Sequence, residues 1–168
     1  MLEATDFRHL PRTHPTATMN KAFVREPEFD GRGYCPRCGA LGVEVAGETL
    51  DSHILPTARQ RIGDAAWFCS FARCDVAYFT LLETVVTVDD LHAPVYPKDQ
   101  LAPICACFGF GRDEVEADVQ DGSPKRIRAL LQQTDSPQAD CRRQSADGKC
   151  CRGAVQRLYL QLTGQTEQ

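Results

Sequence analysis

The sequence has few large aromatic side chains, no long apolar runs and no excess of positive charge, and each shortage narrows what it can do. Phe, Tyr and Trp make up 8% of the 168 residues, with a single Trp, so large anchors for a hydrophobic core are scarce. The longest uninterrupted apolar runs are a few residues, far below the roughly 20 needed to span a bilayer, and no charged-then-apolar leader pattern opens the chain. A cytoplasmic protein with no membrane insertion is therefore expected. A formal net charge of −4 argues against a nucleic acid partner, because affinity for a polyanion comes mostly from Lys and Arg neutralising phosphate. Catalytic constellations are also missing: there is no Ser, His and Asp arrangement, no phosphate-cradling glycine loop and no recognisable carboxylate pair. "FGFGR", Phe108 to Arg112, holds two glycines but follows a cysteine loop. No enzymatic activity is expected.

Cysteine, by contrast, is abundant, with nine in the chain. An odd count, clustered into pairs too close in sequence to staple distant elements, argues for metal ligation over a disulfide scaffold.

The pattern along the chain predicts an α+β fold with a flexible N-terminal arm over 1–32, a β-rich module over 33–100, a helical module over 101–163 and a tail over 164–168. The arm mixes Pro, Thr, His and charges without periodicity, and His9 and His14 read as solvated histidines. In the first module "GVEVAGETL", "AAWFCS", "VAYFT" and "ETVVTV" read as short strands, and "ETLDSHILPTARQRI" as a place for one short helix broken at Pro56, the whole with little core. In the second, "RDEVEADV" puts Val115 and Val119 on one helical face and "DG" at 121 and 122 stops it. Asp113, Glu114, Glu116 and Asp118 read as its solvated, dipole-compensating side. "SPKRIRALLQQ" offers Ser123 as N-cap and Pro124 as first helical residue, with Ile127, Leu130 and Leu131 facing inward. A last helix from about Cys151 aligns Val155, Leu158 and Leu162, which makes three helices with cysteine-bearing loops.

Cys35 and Cys38 form a C-x2-C knuckle, "YCPRCG", and Cys69 and Cys74 a C-x4-C pair, "FCSFARCD". Two short chelating turns supply the four ligands of a tetrahedral zinc, and the glycine after Cys38 suits a left-handed knuckle position. Zinc would substitute for the missing core, a structural role with no open coordination position. His53 and Asp75 are minor contenders to replace one thiolate.

The remaining cysteines are Cys105, Cys107, Cys141, Cys150 and Cys151. A C-x-C pair in extended chain points its side chains apart, so Cys105 and Cys107 chelate together only if the backbone loops, which Phe108 and Gly109 allow. Helix N-termini close to these thiols would favour an anionic iron-sulfur cluster. Five thiols for four positions leave a choice between Cys150 and Cys151; Cys151, at the mouth of the last helix, is favoured, and the spare thiol is either a small buried residue or a ligand for a second, transient metal.

The stretches "CPRCG", "FCSFARCDVAYF", "PICACFGFGRDEV", "DGSPKRIRALL" and "ADGKCCRGAVQR" together resemble the N-terminal zinc and 2Fe-2S domain of CopZ-type copper chaperones, which also occurs as a stand-alone bacterial protein. The resemblance spans about Tyr34 to Leu158, and the second half is similar to bacterioferritin-associated ferredoxin. It implies a small zinc-ribbon-like module followed by a three-helix 2Fe-2S-binding module. Cys35, Cys38, Cys69 and Cys74 would hold zinc, and Cys105, Cys107, Cys141 and Cys151 a 2Fe-2S cluster. It further implies electron supply for reduction of Cu(II) to Cu(I) and delivery to a copper-handling protein or ATPase. CopZ chaperones also carry an M-x-C-x-x-C copper loop, and this chain has none, so copper contact is expected to be transient, with the spare thiol as landing point. The alternatives are a ferredoxin-like electron carrier for another acceptor, such as an iron-storage protein or an oxidoreductase, and a non-redox interaction module folded by its metals.

Overall fold

Four short β-branched and aromatic runs form a single antiparallel sheet in sequential order: β1 (Val43–Val45), β2 (Ala66–Phe68), β3 (Val76–Phe79) and β4 (Val85–Thr87). The computed structural model describes residues 31–166, so the arm expected over 1–32, with His9 and His14, lies outside the described residues except for its last two positions. Register pairs Val43 with Phe68, Trp67 with Phe79 and Tyr78 with Val86. Between Val76 and Tyr78 the pairing with β4 shifts. That irregularity interrupts the alternation of β3, so that Val76 and Phe79 face one side of the sheet while Ala77 and Tyr78 both face the other.

Both faces of the sheet are therefore buried, which gives this lobe more core than its composition suggests. One face carries Ala66, Phe68, Tyr78 and Val86 against Leu50, Ile54, Ala58 and Ile62. The latter four come from α1 (Gly47–His53), α2 (Pro56–Arg59) and their flanks. Two short helices thus stand where one broken helix is expected, and "GETL" belongs to α1 rather than to a strand; Pro56 opens α2, where its missing N–H costs nothing. The other face carries Trp67, Val76 and Phe79 against Cys35, Cys69 and Cys74.

The remaining helices are α3 (Arg112–Gln120), α4 (Lys125–Gln133), α5 (Cys141–Gln144) and α6 (Arg152–Thr166). Val115, Ile127, Leu130, Val155 and Leu158 make a second apolar core among α3, α4 and α6. The short α5 adds a fourth helix to the three expected. Two details of α3 and α4 differ from expectation. Asp118 is fully buried rather than solvated, and it, not Ser123, caps α4: its carboxylate accepts from the backbone N–H groups of Arg126 (3.1 Å) and Ile127 (2.9 Å) and from the Arg126 guanidinium (3.0 Å). Pro124 occupies the N-cap position and has no side-chain donor or acceptor to cap with. A carboxylate from the preceding helix satisfies the free N–H groups instead.

Ala146, from the loop between α5 and α6, is buried within the core of the sheet lobe beside Tyr78 and Leu50. The chain from Gly31 onward forms one compact unit.

Candidate metal centres

The first knuckle is closed by backbone bonds: Cys35 N–H donates to Ala40 C=O, and Gly39 N–H to Cys35 C=O, each at 2.8 Å. Gly39 has φ +71°, the left-handed position expected of it. The second knuckle leaves β2 at Cys69, whose N–H donates to Ala77 C=O, and turns back at Cys74, whose N–H donates to Phe71 C=O. The sheet brings the turns together, and all four sulfurs lie within 4.8 Å of one another. Cys35 and Cys74 are 3.9 Å apart, Cys38 and Cys69 3.5 Å. Thiolates at about 2.3 Å around a tetrahedral ion sit about 3.8 Å apart, close to the two spacings seen here, so this donor set fits zinc.

His53 and Asp75 are not part of this group. The Asp75 carboxylate pairs with Arg37 at 2.9 Å, an ion pair between the two knuckles. His53 lines a cavity elsewhere, its Nε2 buried without a hydrogen-bond partner, and burial holds the imidazole below its usual pKa. One residue beside the thiols carried no signal in the sequence: Lys98 Nζ donates to the carbonyls of Phe71 (2.9 Å) and Cys74 (3.0 Å). It satisfies two carbonyls of the second knuckle and puts positive charge next to the sulfurs. Burial pushes the Cys69 thiol up to about 12, the neighbouring thiols adding to it and Lys98 opposing it. A cation arriving here displaces protons.

The second group is built differently. Cys105 N–H and Phe110 N–H exchange hydrogen bonds with each other's carbonyls at 3.0 and 3.1 Å, and Gly109 turns the chain at φ +64°. The C-x-C segment is thus looped rather than extended, as the glycine predicts. Cys107 lies 3.9 Å from Cys141 at the start of α5. The neighbouring Cys151 thiol brings Cys105 down to about 6, and Cys105 in turn raises Cys151. Both are buried, at 1% and 6% exposure, while Cys150 is exposed and reaches Cys141. Cys151 immediately precedes α6, and Arg152 anchors that helix start: its guanidinium donates to Thr134 Oγ1 (2.7 Å) and Leu131 C=O (3.0 Å) at the end of α4, and pairs with Asp135.

Among the described residues only the first group packs four metal-ligating side chains within 4.8 Å of one another. The second brings Cys107 and Cys141 to 3.9 Å and buries Cys105 and Cys151 in the same apolar core, with Cys107 packed against it. A group spread in this way suits two irons better than one ion, because each iron needs its own pair of thiolates. All-sulfur donors and an adjacent helix N-terminus also fit an anionic cluster. Cys150, together with His53, His92, Lys149 and Arg157, lies on the wall of a cavity of about 620 Å³.

The family model zf_CopZ, described as a zinc binding domain, matches residues 32–92. The copper chaperone CopZ of Archaeoglobus fulgidus is 26% identical over 135 residues, covering 78% of this chain. The chain is similar to CopZ. It spans 64% of the length of that relative. The crystal structure of the N-terminal domain of Archaeoglobus fulgidus CopZ superposes with a TM-score of 0.64 at 22% identity, covering 75% of this chain and 97% of that domain, so the α+β fold is shared. The zf_CopZ match contains the whole first sulfur group and ends before Cys105. Among the described residues no helix is long and apolar enough to cross a membrane.

Proposed function

We propose that this protein is a metal-handling protein of copper chaperone type, in which Cys35, Cys38, Cys69 and Cys74 hold a structural zinc and Cys105, Cys107, Cys141 and Cys151 hold a 2Fe-2S cluster. The observation that carries the reading is the second sulfur group: Cys107 and Cys141 stand 3.9 Å apart, and Cys105 and Cys151 are buried in the same core at the start of α6. The similarity to CopZ supports copper as the cargo.

When bound, such a cluster supplies one electron at a time, enough to convert Cu(II) to Cu(I). The chain's own residues do the rest. Cys105 and Cys151 are shielded from water, and Cys150, exposed on the cavity wall, offers Cu(I) a soft thiolate next to the electron source. Lys149 and Arg157 on the same wall would attract an acidic partner, raising the rate of encounter with a copper-handling protein or ATPase. No catalytic turnover is part of this reading, and a cytoplasmic location suits its reduced thiols.

Anaerobic purification followed by metal analysis and electron paramagnetic resonance tests it. About two irons and one zinc per chain, with a rhombic signal on reduction, are expected. A colourless protein with two zincs overturns the redox reading. Titration of the reduced protein with Cu(II) should then re-oxidise it stoichiometrically with Cu(I) retained. Re-oxidation by other acceptors, with copper destroying the chromophore, favours a general electron carrier instead.

A further inference from the structure

The loop from Cys141 to Cys151 carries three of the five second-group thiols, yet it is held mainly from the sheet lobe. Tyr78, fully buried in β3, donates its hydroxyl to Ala146 C=O at 2.8 Å across 68 residues of sequence. Thr49, fully buried in α1, donates its hydroxyl to Arg142 C=O at 2.6 Å. Ala146 itself is inserted in the sheet lobe's core. Gly148 makes the fit possible: it turns at φ +65°, and a Cβ there would come within 3.0 Å of Thr49 Oγ1. On the surface above, Arg142 pairs with Glu48 of α1 at 3.0 Å. Within itself the loop is also closed by local bonds, among them Ser145 N–H to Cys141 C=O and Gly148 N–H to Ser145 C=O.

We propose that Tyr78 and Thr49 are positioning residues for the second sulfur group: the folded sheet lobe, through these two hydroxyls, sets where Cys141, Cys150 and Cys151 stand, so that the second group assembles only on a completed first lobe. The physical basis is the seating of the strands on the sulfur quartet. Val76 and Phe79 of β3 pack on Cys35, Cys69 and Cys74, while Tyr78 of the same strand points the other way, at Ala146. Whatever fixes the quartet fixes β3, and β3 fixes the loop. A protein that loads its metals in this way takes zinc first, and does not gather a thiol-bound iron group on an incomplete scaffold. The inference rests on the assignment of the two sulfur groups given above.

Two variants test it, each nearly isosteric: Tyr78→Phe and Thr49→Val, with Thr49→Ser as the conservative rescue. A buried or part-buried carbonyl left without its donor favours opening of the loop by about tenfold. Amide hydrogen exchange at Ser145 and Gly148, measured in the zinc-loaded protein, should therefore accelerate about tenfold in both variants while the amides of β2 and β3 keep their protection. Iron loss to a chelator should accelerate in parallel, zinc content should be unchanged, and Thr49→Ser should restore wild-type values. Unchanged exchange at Ser145 and Gly148 overturns the inference, and so does uniform acceleration across both lobes, which would mark the hydroxyls as general supports. A wild-type protein that binds no iron, with the exchange result as expected, overturns the cluster assignment and leaves the clamp standing. The readouts thus separate the two failures.

Discussion

The two sulfur groups of this chain solve the same problem in opposite ways. The first is made from two tight turns whose backbone bonds are local, and its four sulfurs converge within 4.8 Å on a sheet that packs directly against them. The second draws on a loop at Cys105 and Cys107, a short helix at Cys141 and the start of α6, and its geometry is enforced from elsewhere by Tyr78, Thr49 and Arg152. A closed group of local turns suits a metal that folds the chain. A group borrowed from several segments suits a metal whose surroundings are to be tuned, because each supporting segment can adjust burial and hydrogen bonding around the sulfurs independently.

The comparison breaks most severely through the ligands themselves. Zinc contributes apparent binding free energies of about 10–16 kcal/mol in small zinc-folded peptides, so Cys69→Ser should abolish zinc binding and unfold the sheet lobe. Trp67 reports it, since it stacks on Phe79 at 6.2 Å within the Cys69 core and its near-ultraviolet dichroism should vanish. Iron should be lost as well. Cys107→Ser, in contrast, should remove the visible absorption while zinc content and the Trp67 signal persist. Iron retained by Cys69→Ser would break the dependence of the second group on the sheet lobe, and zinc lost by Cys107→Ser would make that dependence mutual.

A smaller effect sharpens the contrast from the helical side. Asp118→Asn should lower the stability of the helical lobe by about 1–3 kcal/mol, because a buried charged acceptor of three hydrogen bonds is weakened. Burial alone would raise the Asp118 pKa, but the amides of Ile127 and Arg126 and the Arg126 guanidinium outweigh it and hold the pKa below the usual carboxylate value. A depressed native pKa means that this stabilisation is complete above the unfolded value of about 3.9 and disappears as pH falls through the native one. Thermal unfolding followed by far-ultraviolet dichroism should thus converge for wild type and Asp118→Asn in acid and diverge at neutral pH. A constant difference at all pH values would remove the charge from the explanation.

What the sequence made legible and what it did not divide along the same line. The C-x2-C and C-x4-C turns, Gly39, the Gly109 loop, the four strands and the inward faces of α4 and α6 are written in spacing and periodicity, which act over a few residues, whereas α3 buries Val115 with Asp118 and leaves Val119 only half-buried outside the core. Ala146 sits in a polar loop with no apolar neighbour to mark it, yet it is a core residue of the other lobe. Asp118 has the i, i+3 relation to Val115 that would mark an inward face, but an acid among acids reads as solvated until Arg126 and Ile127 are seen to need it. Ser123 and Pro124 have the local signature of a cap, and a longer-range acceptor displaced it. Lys98 likewise gives no hint in "YPKDQLAP" of the knuckle carbonyls it satisfies. Every one of these misreadings involves a contact between segments that spacing alone cannot connect.

The smallest expected effect tests whether sulfur, and not surface charge, holds the knuckles together. Arg37 and Asp75 join the two turns at 2.9 Å, but their side chains are 57% and 48% exposed. An ion pair in that setting is screened by water and salt and loses side-chain entropy, so it contributes about 0–1 kcal/mol. Arg37→Ala should shift the thermal midpoint by about 4 °C at most, the shift should shrink in high salt, and the rate of zinc loss to a chelator should stay within about twofold of wild type. Zinc loss approaching that of Cys69→Ser would mean that the ion pair, and not the sulfur quartet seated on Trp67, Val76 and Phe79, brings the two turns together.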